Sequence, residues 1–104
     1  MDQWRLITDP PLSGACNMAA DYALLLSVAE VSSPPVLRFY SWSIPAVTIG
    51  YFQDAGTEAD LTHCERSGID VIRRVTGGGV VFHEHEITYS MVFPESHPFA
   101  GKDL

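Results

Sequence analysis

The residues best suited to chemistry lie in one stretch, Arg73–His83, which reads RRVTGGGVVFH. Consecutive glycines lack side chains, so their backbone N–H groups can approach a bound ligand closely. An arginine adds a permanent positive charge in a planar fork that matches a carboxylate or a phosphate. Apolar runs typical of strands flank the glycines on both sides. The stretch therefore predicts an anion-binding loop between two strands.

Strand geometry limits what the two adjacent arginines can do. Side chains of neighbouring residues in a strand point to opposite faces. Arg73 and Arg74 are therefore predicted to point apart, with one of them at the ligand and the other in structural or surface contacts. Arg74 is favoured for the ligand contact, although the pattern leaves the choice open.

Two other groups of reactive side chains support no site. His83 and His85 would share one face of an extended segment, but two ligands are too few for a metal site and no third ligand of suitable spacing follows. His63 and Cys64 are neighbours on a predicted helix, where side chains point about 100° apart and cannot easily share a proton. The sequence predicts neither a metal site nor a cysteine nucleophile.

The elements that must position the glycine stretch begin with a short strand over Trp4–Thr8, which two prolines end. Ser13 is a suitable cap for a helix over Ala15–Val31. Apolar residues at three- and four-residue steps predict the core-facing side of this helix: Met18, Tyr22, Leu25, Leu26 and Ala29. Asp21 lies outside this stripe and has no predicted chemical role.

The rest of the chain alternates between strands and one short helix. The predicted strands are Val36–Ser43, Ala46–Gly50, Ile69–Val75, Val80–Phe82 and Ile87–Phe93. A helix is predicted over Thr57–Ser67, with Thr57 as its N-cap. Because adjacent strands dominate, the predicted fold class is α+β: a mixed, largely antiparallel sheet covered by helices.

Composition narrows the class of protein. The length of 104 residues suits one domain, and the apolar fraction of 46% is enough for a core. A net charge of −7 argues against nucleic acid, and neither a long apolar span nor a basic cluster indicates a membrane. The two cysteines form no disulfide or zinc pattern, and no secretory signal is present, so a cytoplasmic location is expected.

Three blocks of the sequence resemble one known family. The block RRVTGGGVVFHEHEITYS (73–90) is similar to the signature of the biotin/lipoate protein ligase catalytic domains, in their lipoate-protein ligase and octanoyltransferase branch. Asn17–Leu25 and Leu37–Gln53 resemble the family's first helix and first hairpin, in the same order. Because the family's catalytic domains are considerably longer, residues 1–104 are expected to be a single, truncated domain, the N-terminal part of such a fold.

The resemblance implies where a substrate binds. In the family, the corner that holds Trp42, Tyr51 and Gln53 lines the pocket for the acyl chain. The implied site for the substrate or adenylate consists of Arg73, Arg74, Thr76, Gly77, Gly78, Gly79, Val80, Val81 and His83. The role of His83 rests on the resemblance alone, since a lone histidine at a strand end usually makes a turn hydrogen bond.

The implied activity is the attachment of a lipoyl or octanoyl group to a lysine of a lipoyl carrier domain, such as the glycine cleavage H protein or a 2-oxoacid dehydrogenase E2. A ligase would use ATP with Mg²⁺ and lipoate or octanoate; an octanoyltransferase would need no cofactor and would take the acyl group from acyl carrier protein. Glu86 and Thr88–Ser90 resemble the transferases, whereas the triplet Gly77–Gly79 resembles the ligases, so this choice stays open. Biotin ligases carry a differently spaced glycine motif and rank lower.

One departure from the family concerns catalysis. The family's essential lysine lies well downstream of the glycine motif, and Lys102 comes too early to match it. The cysteine of the thioester branch has no counterpart at Cys16 or Cys64. No catalytic residue is therefore expected within this span. The alternative is a non-catalytic subunit or remnant that binds an acyl group or adenylate. Such a chain would need a complementary C-terminal chain or would associate with itself.

Overall fold

The computed structural model describes residues 3–30 and 33–100. The elements in these residues are β1 (Arg5–Thr8), α1 (Gly14–Glu30), β2 (Val36–Tyr40), β3 (Ala46–Ile49), α2 (Ala55–Glu58), α3 (Leu61–Arg66), β4 (Asp70–Arg73), β5 (Val81–His83) and β6 (Thr88–Val92). The predicted α+β class with mixed sheets is confirmed. None of the helices in this part of the chain combines the length and apolar content that crossing a membrane requires. Lys102 lies outside the described residues.

The strands divide between two three-stranded sheets, with strand orders β1–β2–β6 and β4–β3–β5. In each sheet the middle strand pairs in parallel with one neighbour and antiparallel with the other. The hairpin that the resemblance implied for Leu37–Gln53 is therefore wrong, because β2 and β3 belong to different sheets. Trp42 bridges to Leu12 instead, and Pro45, which has no N–H to donate, ends the pairing before β3.

The cap of helix α1 is confirmed, since Ser13 Oγ accepts a hydrogen bond from the N–H of Cys16 at 3.2 Å. Of the predicted core-facing stripe, Met18 packs against the buried cluster of Tyr40, Trp42 and Ala46, and the rest of the prediction is wrong. Tyr22, Leu25 and Leu26 are exposed; the buried positions of the helix are Gly14, Asn17 and Val28. The expected last residue, Val31, lies outside the described residues.

A buried arginine on the sheet explains why the helix turns a polar face inward. Arg38 lies on the covered face of β2 and is fully buried. Its guanidinium needs acceptors that an apolar helix face could not provide, and α1 supplies them through Asn17 and Asp21. The demand of one buried charge therefore outweighs the apolar pattern of the helix.

The segment predicted as one helix over Thr57–Ser67 forms two, α2 and α3. Thr57 lies inside α2, and the caps are Asp54 and Asp60, whose side chains accept backbone hydrogen bonds in the first turn of each helix. Ala59 is extended, with φ −137°, and separates them. A short acidic side chain competes for backbone N–H groups and so starts a new helix rather than continuing one.

In the part of the chain that the structure describes, the core consists of three small clusters of buried apolar residues. They contain Val28, Val36 and Val92; Tyr40, Trp42 and Ala46; and Val47, Ile49 and Cys64. The first cluster lies on the covered face of the first sheet. The second lies where the chain crosses from the first sheet to the second. Cys16 is exposed, and both cysteines are free thiols.

The opposite face of the first sheet is apolar and exposed. Leu6, Phe39, Tyr89 and Met91 lie on it, and the rings of Phe39 and Tyr89 are 6.5 Å apart across the paired strands. Contiguous apolar surface of this kind favours association. This face is compatible with self-association of the chain, which stays a prediction.

Candidate functional site

Strand β3 brings three polar side chains together. Thr48 pairs with Val81 of β5, so His83 is its diagonal neighbour on the same face, and His83 Nε2 lies 2.9 Å from Thr48 Oγ1. On the other side, Thr48 pairs with Ile72 of β4. Arg74, two residues later, donates from Nη1 to Thr48 Oγ1 at 2.7 Å. The buried hydroxyl of Thr48 thus links Arg74 to His83.

The two adjacent arginines have different partners, as strand alternation predicts. Arg73 Nη1 donates to three carbonyl oxygens of the turn after β3. They belong to Gly50 (3.2 Å), Tyr51 (2.9 Å) and Gln53 (2.6 Å). Arg73 therefore holds this turn, whereas Arg74 reaches the face that carries Thr48.

Arg74 also organises the glycine loop, which we define as Thr76–Gly79. Its Nη2 donates to the carbonyl oxygens of Gly77 at 2.9 Å and Gly79 at 2.7 Å. In a trans peptide the N–H points opposite to the carbonyl, and no cis bond occurs in the described residues. The N–H of Gly78, which shares a peptide unit with the Gly77 carbonyl, therefore points away from the guanidinium.

The amides of the glycine loop are free to bind a ligand. Within residues 3–30 and 33–100, the N–H groups of Gly77, Gly78 and Gly79 donate no hydrogen bond. Gly78 has φ +97°, a conformation that other residues adopt only with strain. The loop thus keeps its donors available while Arg74 binds its carbonyls.

Gly50 allows the glycine loop to pack against the end of β3. A Cβ atom at this position would overlap the carbonyl oxygen of Gly78. The N–H of Tyr51 donates to the carbonyl of Thr76 at 2.9 Å, which fixes the start of the loop. The absence of a side chain at Gly50 therefore lets the two backbone segments approach closely.

A mostly apolar cavity of about 400 Å³ lies beside these groups. Thr48, Arg74 and His83 form one polar part of its lining. The apolar part includes Met18, Leu25, Trp42, Val92 and Phe93. An apolar chain with one polar or anionic end would match this combination.

A second polar group lies where α1 crosses β2. The Arg38 guanidinium contacts Asp9 Oδ2 at 2.7 Å and Asp21 Oδ1 at 2.9 Å. It also donates to Asn17 Oδ1 at 2.8 Å and lies 3.9 Å from the centre of the Tyr40 ring. One buried cation thus holds two carboxylates from different segments, and Asp21 and Tyr40 both reach the cavity.

Tyr40 is the cavity residue with an altered acidity. Its hydroxyl donates to Asp21 Oδ2 at 2.9 Å. Burial, with a further contribution from the nearby Asp21 carboxylate, raises the pKa of Tyr40 from 10.0 to about 12. The neutral phenol is therefore the form that the folded chain favours.

The raised pKa of Tyr40 predicts a loss of stability in alkali. The stabilisation is fully present below the unfolded pKa of about 10 and is lost as the pH rises through the folded pKa of about 12. Over this window the chain is expected to lose about 2 to 3 kcal/mol relative to Tyr40→Phe, as measured by denaturant unfolding at several pH values. Parallel curves for the two proteins would contradict the shift.

The residues predicted to bind substrate are not all part of the cavity. Arg74, Thr76 and His83 line it. The remaining members of that set lie outside its lining: Arg73, Gly77, Gly78, Gly79, Val80 and Val81. The glycines are nevertheless held next to it through Arg74, and the roles of the whole set in binding stay predictions.

Of the predicted acyl-pocket residues, Trp42 lines the cavity. Tyr51 and Gln53 do not. Tyr51 is exposed, and Gln53 Oε1 accepts a hydrogen bond from the N–H of Gly50 at 2.8 Å. The turn after β3 therefore braces the glycine loop and lies away from the cavity.

Sequence reasoning missed Thr48, Asp21 and Tyr40 as members of the site. One signal was present: Arg38 lies between Val36 and Tyr40 at alternate positions of a strand, on the face that must be covered. A charged side chain there requires a buried partner. Among the described residues, no group of three or more His, Cys, Asp or Glu side chains could hold a metal ion.

Comparison with known proteins places this geometry in context. The lipoyl protein ligase A/B catalytic domain matches residues 13–103. The octanoyltransferase LipM of Carboxydothermus hydrogenoformans is 49% identical over 98 residues, which are 94% of this chain and 36% of the relative. The chain thus spans little more than a third of that protein.

Solved structures with a similar fold come from lipoate-protein ligases. A lipoate protein ligase from Thermoplasma acidophilum, described as bi-partite and studied with its E2 lipoyl domain, has a TM-score of 0.77 at 34% identity, over 88% of this chain and 36% of the other. A T. acidophilum protein of this type with bound lipoic acid gives 0.76 at 35%, over 88% and 37%. Lipoate-protein ligase A bound with ATP gives 0.64 at 34%, over 86% and 36%.

Proposed function

The chain belongs to the lipoyl protein ligase A/B catalytic domain family, and on this basis we propose that it is the acyl-binding part of an enzyme that attaches octanoyl or lipoyl groups to a lysine of lipoyl carrier domains. The observation that carries the proposal is the apolar cavity with Arg74 in its lining. The cytoplasmic location stays a prediction.

The cavity matches the two chemical parts of an acyl group. Its apolar lining would bind the hydrocarbon chain, at about 0.8 kcal/mol for each buried methylene. Three N–H donors of Arg74 are engaged by Thr48, Gly77 and Gly79, and a guanidinium has five. The remaining donors would bind the carboxylate or carbonyl oxygen at the end of the chain.

Octanoyl transfer from acyl carrier protein is the first candidate reaction. It is supported by the curated relatives, which are named octanoyltransferase LipM and are 41 to 49% identical to this chain. Charge that develops on the carbonyl oxygen during attack would be stabilised by the remaining N–H donors of Arg74. No residue of this chain is assigned as the nucleophile.

ATP-dependent ligation of lipoate or octanoate is the second candidate. It is supported by the ligase neighbour that was solved with ATP and by the unengaged amides of Gly77–Gly79, which suit an adenylate phosphate. ATP with Mg²⁺ would activate the carboxylate. The role of this chain would be to hold the acyl chain of the substrate and the phosphate groups. A binding subunit that needs a second chain is the alternative, for which the bi-partite ligase of T. acidophilum is a parallel.

One assay distinguishes these candidates. The protein is incubated with an apo lipoyl domain and either octanoyl acyl carrier protein or lipoate with ATP and Mg²⁺, and acylation of the domain is read by mass spectrometry. We expect octanoylation without ATP once the matching C-terminal part of the C. hydrogenoformans relative is added, because no nucleophile is assigned in this chain. Acylation only in the arm with lipoate, ATP and Mg²⁺ would favour the ligase, and no acylation in any arm would contradict the proposal.

Gly78 provides a test of the glycine loop. A Gly78→Ala variant is expected to bind octanoate at least about tenfold more weakly, because a left-handed φ costs other residues about 1 to 2 kcal/mol and the new Cβ would lie 3.3 Å from Arg74 Nη2. Gly79→Ala is the control, since a Cβ there meets nothing within 4 Å. Equal affinities in calorimetric titrations would exclude a role for the loop conformation.

A further inference from the structure

A closed ring of contacts joins four side chains at the wall of the cavity. The rings of Trp42 and His83 are stacked, with centroids 4.1 Å apart and an interplanar angle of 17°. A ring nitrogen of each side chain connects to Glu86, that of Trp42 through Thr88 and that of His83 directly. Trp42 Nε1 donates to Thr88 Oγ1 at 2.9 Å, and Thr88 Oγ1 donates to Glu86 Oε2 at 3.0 Å. Glu86 Oε1 lies 3.2 Å from His83 Nδ1.

The turn between β5 and β6 brings Glu86 back to His83. His85 adopts φ +50°, which reverses the chain within three residues. His83 is buried, and within residues 3–30 and 33–100 its Nδ1 has no partner with hydrogen-bond geometry. The contact with the Glu86 carboxylate is therefore electrostatic, and it lies at the ring edge opposite to Thr48.

The hydrogen-bond partners around Thr48 indicate which ring nitrogen of His83 carries the proton. Arginine can only donate, so Thr48 Oγ1 accepts from Arg74. Among the described residues His83 Nε2 is the only acceptor for the Thr48 hydroxyl hydrogen. The Thr48 oxygen can accept two hydrogen bonds, but only an unprotonated Nε2 also gives its buried hydrogen an acceptor. The arrangement that satisfies both groups puts the proton of the neutral ring on Nδ1, where it faces Glu86.

We propose that Glu86 is a positioning residue of the acyl site: it keeps the proton of His83 on Nδ1, so that Nε2 accepts from Thr48 and Thr48 in turn accepts from Arg74. This inference rests on the proposed function, because Arg74 is the group expected to meet the acyl end. Without the carboxylate, a proton on Nε2 would turn toward Thr48, and the buried hydroxyl would lose its acceptor.

Nitrogen-15 NMR of labelled histidine tests the assignment. The His83 signal, identified by its loss in His83→Gln, should show the Nδ1–H tautomer in the unaltered protein. Glu86→Leu should shift it toward the Nε2–H form and weaken octanoate binding by about 5- to 10-fold, the loss of roughly one hydrogen bond. Glu86→Gln, which keeps an acceptor oxygen, should restore the tautomer at least in part.

The matched control is Glu84→Leu. Glu84 lies 3.6 Å from the exposed ring of His85 and outside the ring of contacts, so both readouts should stay unchanged. An Nε2–H tautomer in the unaltered protein, or the same tautomer and affinity in Glu86→Leu, would overturn the inference. Failure of the unaltered protein to bind octanoate would instead contradict the proposed function, and the tautomer would still decide the role of Glu86.

Discussion

Arg74→Leu is expected to weaken octanoate binding by about 10- to 100-fold, because a hydrogen bond to a charged group contributes about 1.5 to 3 kcal/mol. The same change releases the carbonyls of Gly77 and Gly79, which the guanidinium holds at 2.9 and 2.7 Å. The glycine loop would then lose its fixed orientation. Isothermal titration calorimetry with octanoate measures the effect.

Two further variants separate charge from geometry at this position. Arg66→Leu removes an arginine from the last turn of α3, on an exposed surface, and should leave the affinity unchanged. Arg74→Lys keeps the positive charge but loses the planar fork, so its affinity should fall between those of Arg74→Leu and the unaltered protein. If Arg74→Leu folds and binds octanoate within about twofold of normal, against the expected charged hydrogen bond, the assigned role is wrong.

Arg38→Leu is expected to lower the free energy of unfolding by about 3 to 5 kcal/mol, the usual cost of breaking a buried ion pair from one side. Arg38 is fully buried and pairs with Asp9 and Asp21. The substitution would leave both partly buried carboxylates without a cation. Chemical denaturation monitored by circular dichroism measures the change.

The control for Arg38 removes the stranded charges. The triple variant Arg38→Leu, Asp9→Asn, Asp21→Asn should recover part of the lost stability, because neutral amides tolerate burial better than unpaired carboxylates. A triple variant less stable than Arg38→Leu would contradict the account in which the two unpaired carboxylates cause the loss of stability.

Local features of the site were predictable from the sequence. The opposite orientation of Arg73 and Arg74 follows from strand alternation alone, and Ser13 caps α1 because short hydroxyl side chains accept the hydrogen bonds of a first helical turn. Each of these depends on a few neighbouring residues.

Features that depend on distant partners were not predictable. The buried face of α1 follows from Arg38, which lies beyond the end of the helix and pairs with Asn17 and Asp21 across 21 and 17 positions. The division of the strands into two sheets depends on which strand each β-segment meets, and periodicity does not contain that information. Membership of Thr48 in the site arises in the same way, from pairing with β4 and β5 on either side.

The glycine loop combines one feature that the sequence predicts with one that it does not. Three glycines predict backbone freedom and close approach of a ligand. They do not predict that the carbonyls of Gly77 and Gly79 turn toward Arg74, because that depends on where Thr48 holds the guanidinium. The N–H of Gly78, which shares a peptide unit with the Gly77 carbonyl, consequently points away from Arg74.

A crystal structure of the protein with octanoate bound tests the central claim most directly. The account predicts the carboxylate within hydrogen-bond distance of Arg74 and the hydrocarbon chain in the cavity beside Met18, Trp42 and Val92. A carboxylate bound elsewhere, or a chain that leaves this cavity empty, would contradict it.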